Sequence, residues 1–154
     1  MATVPPMAKA YDALRPKILA RVLEMRATLD PSLGRLDEET ARSQISAVLD
    51  HLGNFLATGD LGLHRAFLHT FLAMRAAEAQ SPASVLAMLV SIGDTAAQVA
   101  QEVGAGTHEG AELTRLLTRV NASTARAVNE LLAEALASRV AQKAELAARA
   151  QGEP

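Results

Sequence analysis

Residues 37–60 read DEETARSQISAVLDHLGNFLATGD, and the signals that start, orient and stop a helix follow one another along it. Asp37 has the side chain of an N-cap, and Glu38 and Glu39 stand where the helix dipole favours negative charge. Ala41, Ile45, Val48, Leu49, Leu52, Phe55 and Leu56 recur at steps of three and four, which lays one apolar stripe along a helix running to Thr58. Gly59 supplies a left-handed C-cap, and Asp60 opens the next turn. A third helix from about Leu61 to Ala79 follows after so short a connection that the two are expected to be antiparallel neighbours.

The same periodicity extends in both directions. Upstream, Met7, Tyr11, Leu14, Ile18, Val22, Met25 and Leu29 share a helix face. Pro16 lies among them, so this helix either kinks near Asp12 or starts at Pro16. Asp30-Pro31 ends it, and Gly34 falls in the connection. Downstream, Ser81 is the N-cap and Pro82 the first residue of a fourth helix, with Val85, Leu86, Leu89, Ala96, Val99 and Val103 on its face. Gly93 shares that face. A glycine there costs about 1 kcal/mol against alanine, which predicts the close approach of another helix.

After the break at Gly104, Ala105, Gly106 and Thr107, no Gly or Pro occurs from Ala111 to Gln151. One helix of about 40 residues, some 60 Å long, is the simplest reading. No stretch alternates with the period of a strand. The fold expected is all-α, a bundle of about five helices with a long C-terminal helix. It forms one domain over 1–154, with 1–6 as a tail and about 107–150 as the long helix. Because helices of about 20 residues cannot cover that length, its distal half is expected to be exposed, paired or unstable alone. Val128, Leu131, Leu132, Leu136 and Val140, with Leu146 beyond, continue the apolar stripe, and the first five are expected at the seam of a homodimer. Glu130 with Glu134 and Arg139 with Lys143 are like-charge pairs, whereas Glu145 with Arg149 is attractive, so charge sets no register.

Composition narrows the function. The chain has 154 residues, 15 Lys or Arg against 17 Asp or Glu, a net charge of −2, one Tyr, three Phe and no Trp. Its core must be aliphatic, and its charge leaves no basic footprint for nucleic acid or an anionic membrane. With no cysteine, disulfides, thiolate catalysis and Cys-ligated metals are excluded. The N-terminus carries no secretory signal, and the nearest approach to a membrane span, Ser81 to Gln101, is interrupted by Ser84, Ser91, Asp94, Thr95 and Gln98. A cytoplasmic protein is expected.

Four histidines, His51, His64, His69 and His108, are the candidate imidazole ligands, and none forms an HExxH pair. Projection of the third helix puts His64 and Arg75 on the face of Phe67, Leu68, Phe71 and Leu72, with His69 nearly opposite. His64, or secondarily His69, is the candidate haem ligand; the simpler reading of His64 is a core-edge histidine with a hydrogen-bond partner. His69-Thr70-Phe71-Leu72-Ala73 is similar to a histidine phosphotransfer motif only at its His-Thr, since Leu72 and Ala73 stand where that family has Lys and Gly. Arg75 on an apolar face requires an acceptor, as a structural ion pair or as an anion sensor. The acidic residues Glu38, Glu39, Asp50 and Asp60 fall at helix ends or exposed faces and form no acid–base pair. No phosphate loop, dinucleotide turn or nucleophile elbow occurs, and no catalytic residue, metal site or enzyme activity is expected.

One run of segments resembles a known family: Ile45 to Asp60 (ISAVLDHLGNFLATGD), then Phe67 to Ala76 (FLHTFLAMRA), then Ser81 to Leu89 (SPASVLAML). Together they resemble the N-terminal domain of RsbR-type stressosome proteins, the co-antagonists of the RsbT kinase. The likeness is one of pattern and covers Met7 to Gln151. It implies a globin-like, non-haem sensor domain without cofactor. Such a domain dimerises, works beside other stressosome proteins and uses its long last helix as the linker to a STAS domain. Only Gly-Glu-Pro follows Gln151, so an excised or free-standing sensor is expected, with the kinase-facing output outside these residues. The expected function is a non-catalytic, dimeric stress-signalling module. Its rivals are a haem-binding globin sensor and a phosphotransfer bundle.

Overall fold

The computed structural model describes residues 6–29 and 31–152. They form an all-helical bundle: α1 (Pro6–Leu29), α2 (Pro31–Gly34), α3 (Glu38–Thr58), α4 (Leu61–Ala77), α5 (Pro82–Val103) and α6 (His108–Gly152). The expected tail and the Asp30 breaker fall largely outside the described residues; Pro6, assigned to the tail, is instead the first residue of α1. Pro16 sits inside a continuous α1, so the helix does not begin there. The connection after α1 holds an unforeseen single helical turn, α2, which buries Leu33 completely.

The helix boundaries follow from local chemistry. The Asp37 carboxylate accepts from the Thr40 amide, and Gly59 at φ 65° closes α3 through a bond from its amide to the Phe55 carbonyl. Asp60 caps α4 by accepting from the Leu63 amide, and the Ser81 hydroxyl caps α5 by accepting from the Ser84 amide ahead of Pro82. Thr107 accepts from the Gly110 amide at 3.0 Å and starts α6. Each cap satisfies an amide that the first helical turn leaves without a partner.

The core is aliphatic, running from Tyr11, Ile18 and Val22 of α1 through Ile45 and Leu49 of α3 to Ile92, Val99, Leu113 and Leu117 of α5 and α6. Tyr11 is fully buried and its hydroxyl donates to the Leu49 carbonyl at 2.6 Å; burial raises its pKa. Arg21 makes a two-pronged pair with Glu102 at 3.0 and 2.8 Å, tying α1 to α5. At Gly93 the Asn121 side chain of α6 occupies the space a Cβ would need, which accounts for that glycine. Gly104 and Gly110 bring the end of α5 against the start of α6, backbone on backbone. Helix α5 has the length and mean hydropathy of a membrane span, but half of that stretch is buried inside the bundle and it carries Asp94.

Three positions depart from expectation. Val103 and Met25 are exposed at the ends of their stripes. Val128, expected at a dimer seam, is 0% exposed within the single chain and belongs to its core. The reason lies in helical phase. At 100° per residue, Leu136 and Val140 point roughly 120° and 160° away from the mean direction of Leu113, Leu117, Val120, Thr124 and Val128. Past the bundle the inward line continues as Ala135, Ser138, Gln142, Leu146 and Arg149, which is mostly polar. One apolar stripe ends and another begins on a different face.

Candidate functional site

Residues singled out from the sequence fall at three places, two of them polar clusters in the core and one an exposed groove. The first joins α3, α4 and α6. His64 is buried, as its face predicts, and so is His51, which the sequence left unassigned to any face. Their rings lie nearly parallel with centroids 4.8 Å apart, and Phe67 stacks on the other side of His51 at 3.9 Å. The contacts of His64 with Phe55 and His51, and of His51 with Phe67, run in opposite chain directions and show that α3 and α4 are antiparallel.

The hydrogen bonds fit one chain of donors and acceptors. Thr124 donates its hydroxyl proton to the Val120 carbonyl at 2.9 Å, so its oxygen accepts from His64 Nε2–H at 3.2 Å. His64 Nδ1 is then the acceptor for His51 Nε2–H at 2.6 Å. That arrangement has both imidazoles neutral, the form burial favours. Burial lowers both pKa values; His51 falls to about 4, with the adjacent His64 as the second cause. Both nitrogens of His64 are committed, so it has no lone pair free for iron. Its place is the core-edge histidine with a partner.

His69 lies on the opposite face, as expected, and opens on a groove of about 760 Å³ at the end of the bundle. The groove runs between Leu72, Ala73 and Ala76 of α4 and Leu131, Leu132 and Leu136 of α6, with Pro82 and Val85 beneath. Leu131 and Leu132 are half-buried, while Leu136 and Val140 are 63% and 60% exposed. Beside the groove, Arg65 of α4 reaches Glu130 at 2.9 Å and Glu134 at 2.6 Å, so a like-charge pair within α6 becomes a two-point clamp between helices. The attractive Glu145–Arg149 pair forms at 2.7 Å.

Arg75 is the third case. It is buried on the inner face of α4, with its guanidinium 5.1 Å from the Phe71 ring centroid and 3.2 Å from Glu78. The sequence missed its neighbour Gln44, also buried, although spacing from Ala41 and Val48 puts that glutamine on the inner face of α3.

Among the described residues no group of three or more histidine, aspartate or glutamate side chains gathers as a metal site. No protein-family model, curated protein or solved structure matches the chain.

Proposed function

We propose that the chain is a non-catalytic, cytoplasmic, dimeric sensor module of the stressosome type, similar to the non-haem globin-like domain of RsbR-type proteins. Its signal passes along α6. One observation carries this reading: every residue from Ala133 to Gly152 is exposed on a helix continuous with the core, and Leu136, at the rim of the groove, and Val140, beyond it, form an exposed apolar pair. The overhang is about 30 Å long and alanine-rich, a sequence that forms helix readily but gains nothing from its own chain's core. Pairing with a second α6 through Leu132, Leu136 and Val140 would cover that face and couple two bundles. Ligand binding or partner contact would then shift α3 to α5 against α6, and α6 would carry the change to its distal end.

The test is solution mass by light scattering across a dilution series. The unmodified chain is expected at twice 16.2 kDa, and Leu136→Glu/Val140→Glu at the mass of one chain with unchanged helical content. A wild-type monomer, or a double variant that stays dimeric, rejects the interface.

A second reading, a haem-binding sensor, has one supporting observation, and it concerns His69: this histidine borders the apolar groove from α4, with Arg139 on the facing α6 wall as a cation for a propionate.

A further inference from the structure

Helices α3 and α4 are separated near the end of α4 by a cleft of about 190 Å³, with space for about six waters. Two of its polar side chains, Gln44 and Arg75, are buried and incompletely paired, whereas Ser43 and Thr70 on its lining are exposed. Arg75 Nε and Nη1 and Gln44 Oε1 are buried without a hydrogen-bond partner, and both residues line the cleft. Each residue is 6% exposed. Glu78 approaches Nη1 closely enough for an ion pair but does not align as a hydrogen bond, so it balances charge without satisfying the donor. Phe71 holds the guanidinium from one side, and Phe67 and Met74 add apolar wall. A buried cation with unused donors and a buried amide oxygen without a donor are both costly, and a single ligand offering an anion and an adjacent hydroxyl removes both costs.

We propose that this cleft binds a small 2-hydroxycarboxylate. Arg75 Nε and Nη1 and Gln44 Oε1 expose no surface to the cleft, so binding turns the two side chains into it; the carboxylate then accepts from Arg75 N–H groups, the hydroxyl donates to Gln44 Oε1, and a short aliphatic tail lies against Phe67 and Met74. A plain carboxylate satisfies only Arg75. A 2-amino acid would bring its ammonium beside the guanidinium. Inorganic phosphate would leave the apolar wall uncovered. Use of this ligand as the signal rests on the sensor reading above, whereas binding itself does not.

The experiment is calorimetric titration of the full chain with 2-hydroxybutyrate, butyrate and phosphate, with the Arg Nε–H resonances followed by NMR. The expected result is saturable binding of 2-hydroxybutyrate, about tenfold tighter than butyrate, with a shift of the one Arg Nε–H signal that Arg75→Lys removes. Gln44→Met keeps the bulk of the side chain in a folded core and abolishes the preference for the hydroxy acid. The proposal is overturned if 2-hydroxybutyrate does not saturate, if butyrate binds equally, if phosphate alone binds, or if Gln44→Met retains the preference. Light scattering on the same samples separates the two readings: a monomer that binds removes the dimeric sensor and leaves the site, and a dimer that does not bind does the reverse.

Discussion

Acid should weaken this fold before its carboxylates titrate, and the His51–His64 pair sets the size of the effect. Both histidines are buried neutral, so at pH values between the folded and unfolded pKa the unfolded chain holds protons that the folded chain does not. Stability therefore rises with pH through that window and falls on acidification. For His51, moving from 6.5 to about 4 at ~1.4 kcal/mol per pH unit amounts to about 3 kcal/mol in full. About 2 kcal/mol of that is lost by pH 4.5. His64, shifted the same way by burial, steepens the slope. The full loss from His51 is a large share of the ~5–15 kcal/mol that holds a domain together. Asp37, Glu102 and Glu112 have lowered pKa values, so their contributions disappear at lower pH. The assay is urea unfolding at several pH values from 7.5 to 4.5, comparing the natural chain with His51→Gln, whose amide N–H still reaches toward His64. The expected variant is less stable at pH 7 but loses about 2 kcal/mol less on acidification. Parallel curves for the two proteins would refute the reasoning.

Two further outcomes follow from the packing and from the histidine geometry. Gly110→Ala should destabilise by about 2–3 kcal/mol in urea unfolding, because the new methyl would meet the Gly104 backbone, which has no rotamer to yield; a loss under ~0.5 kcal/mol would show that the junction can open. Hemin titration is expected to give no protein-dependent Soret shift in the natural chain, and His64→Ala should make no difference; a band that His69→Ala removes would replace the non-haem reading with the haem one.

The parts of this fold that were legible in the sequence are those that depend on near neighbours. Asp37, Gly59, Asp60 and Ser81-Pro82 act within one turn, and the structure places all four as caps. The inward direction of His64 and Arg75 needed only the helical period. What escaped depends on how helices cross. His51 and His64 meet because α3 and α4 run antiparallel at one particular register, and Arg65 reaches two glutamates 65 and 69 residues away. Gln44 and His51 were accessible in principle, since both share the arc of Ala41, Val48 and Leu52. The change of face along α6, which puts Val128 in the core, is hidden for a different reason. Steps of three and four drift around a helix, and abundant alanine disguised the change of face between Val128 and Leu136.

Helix α6 thus works as one shaft with two flats cut at different angles, the first seated in the bundle and the second free. The angle between them is counted in residues: one residue inserted after Leu132 would turn Leu136 and Val140 by about 100° and advance them by about 1.5 Å, while leaving the core contacts of Leu113 to Val128 in place and moving Glu134 off Arg65. The heading of whatever engages the distal flat is therefore encoded by chain length alone, separately from the sequence that stabilises the bundle.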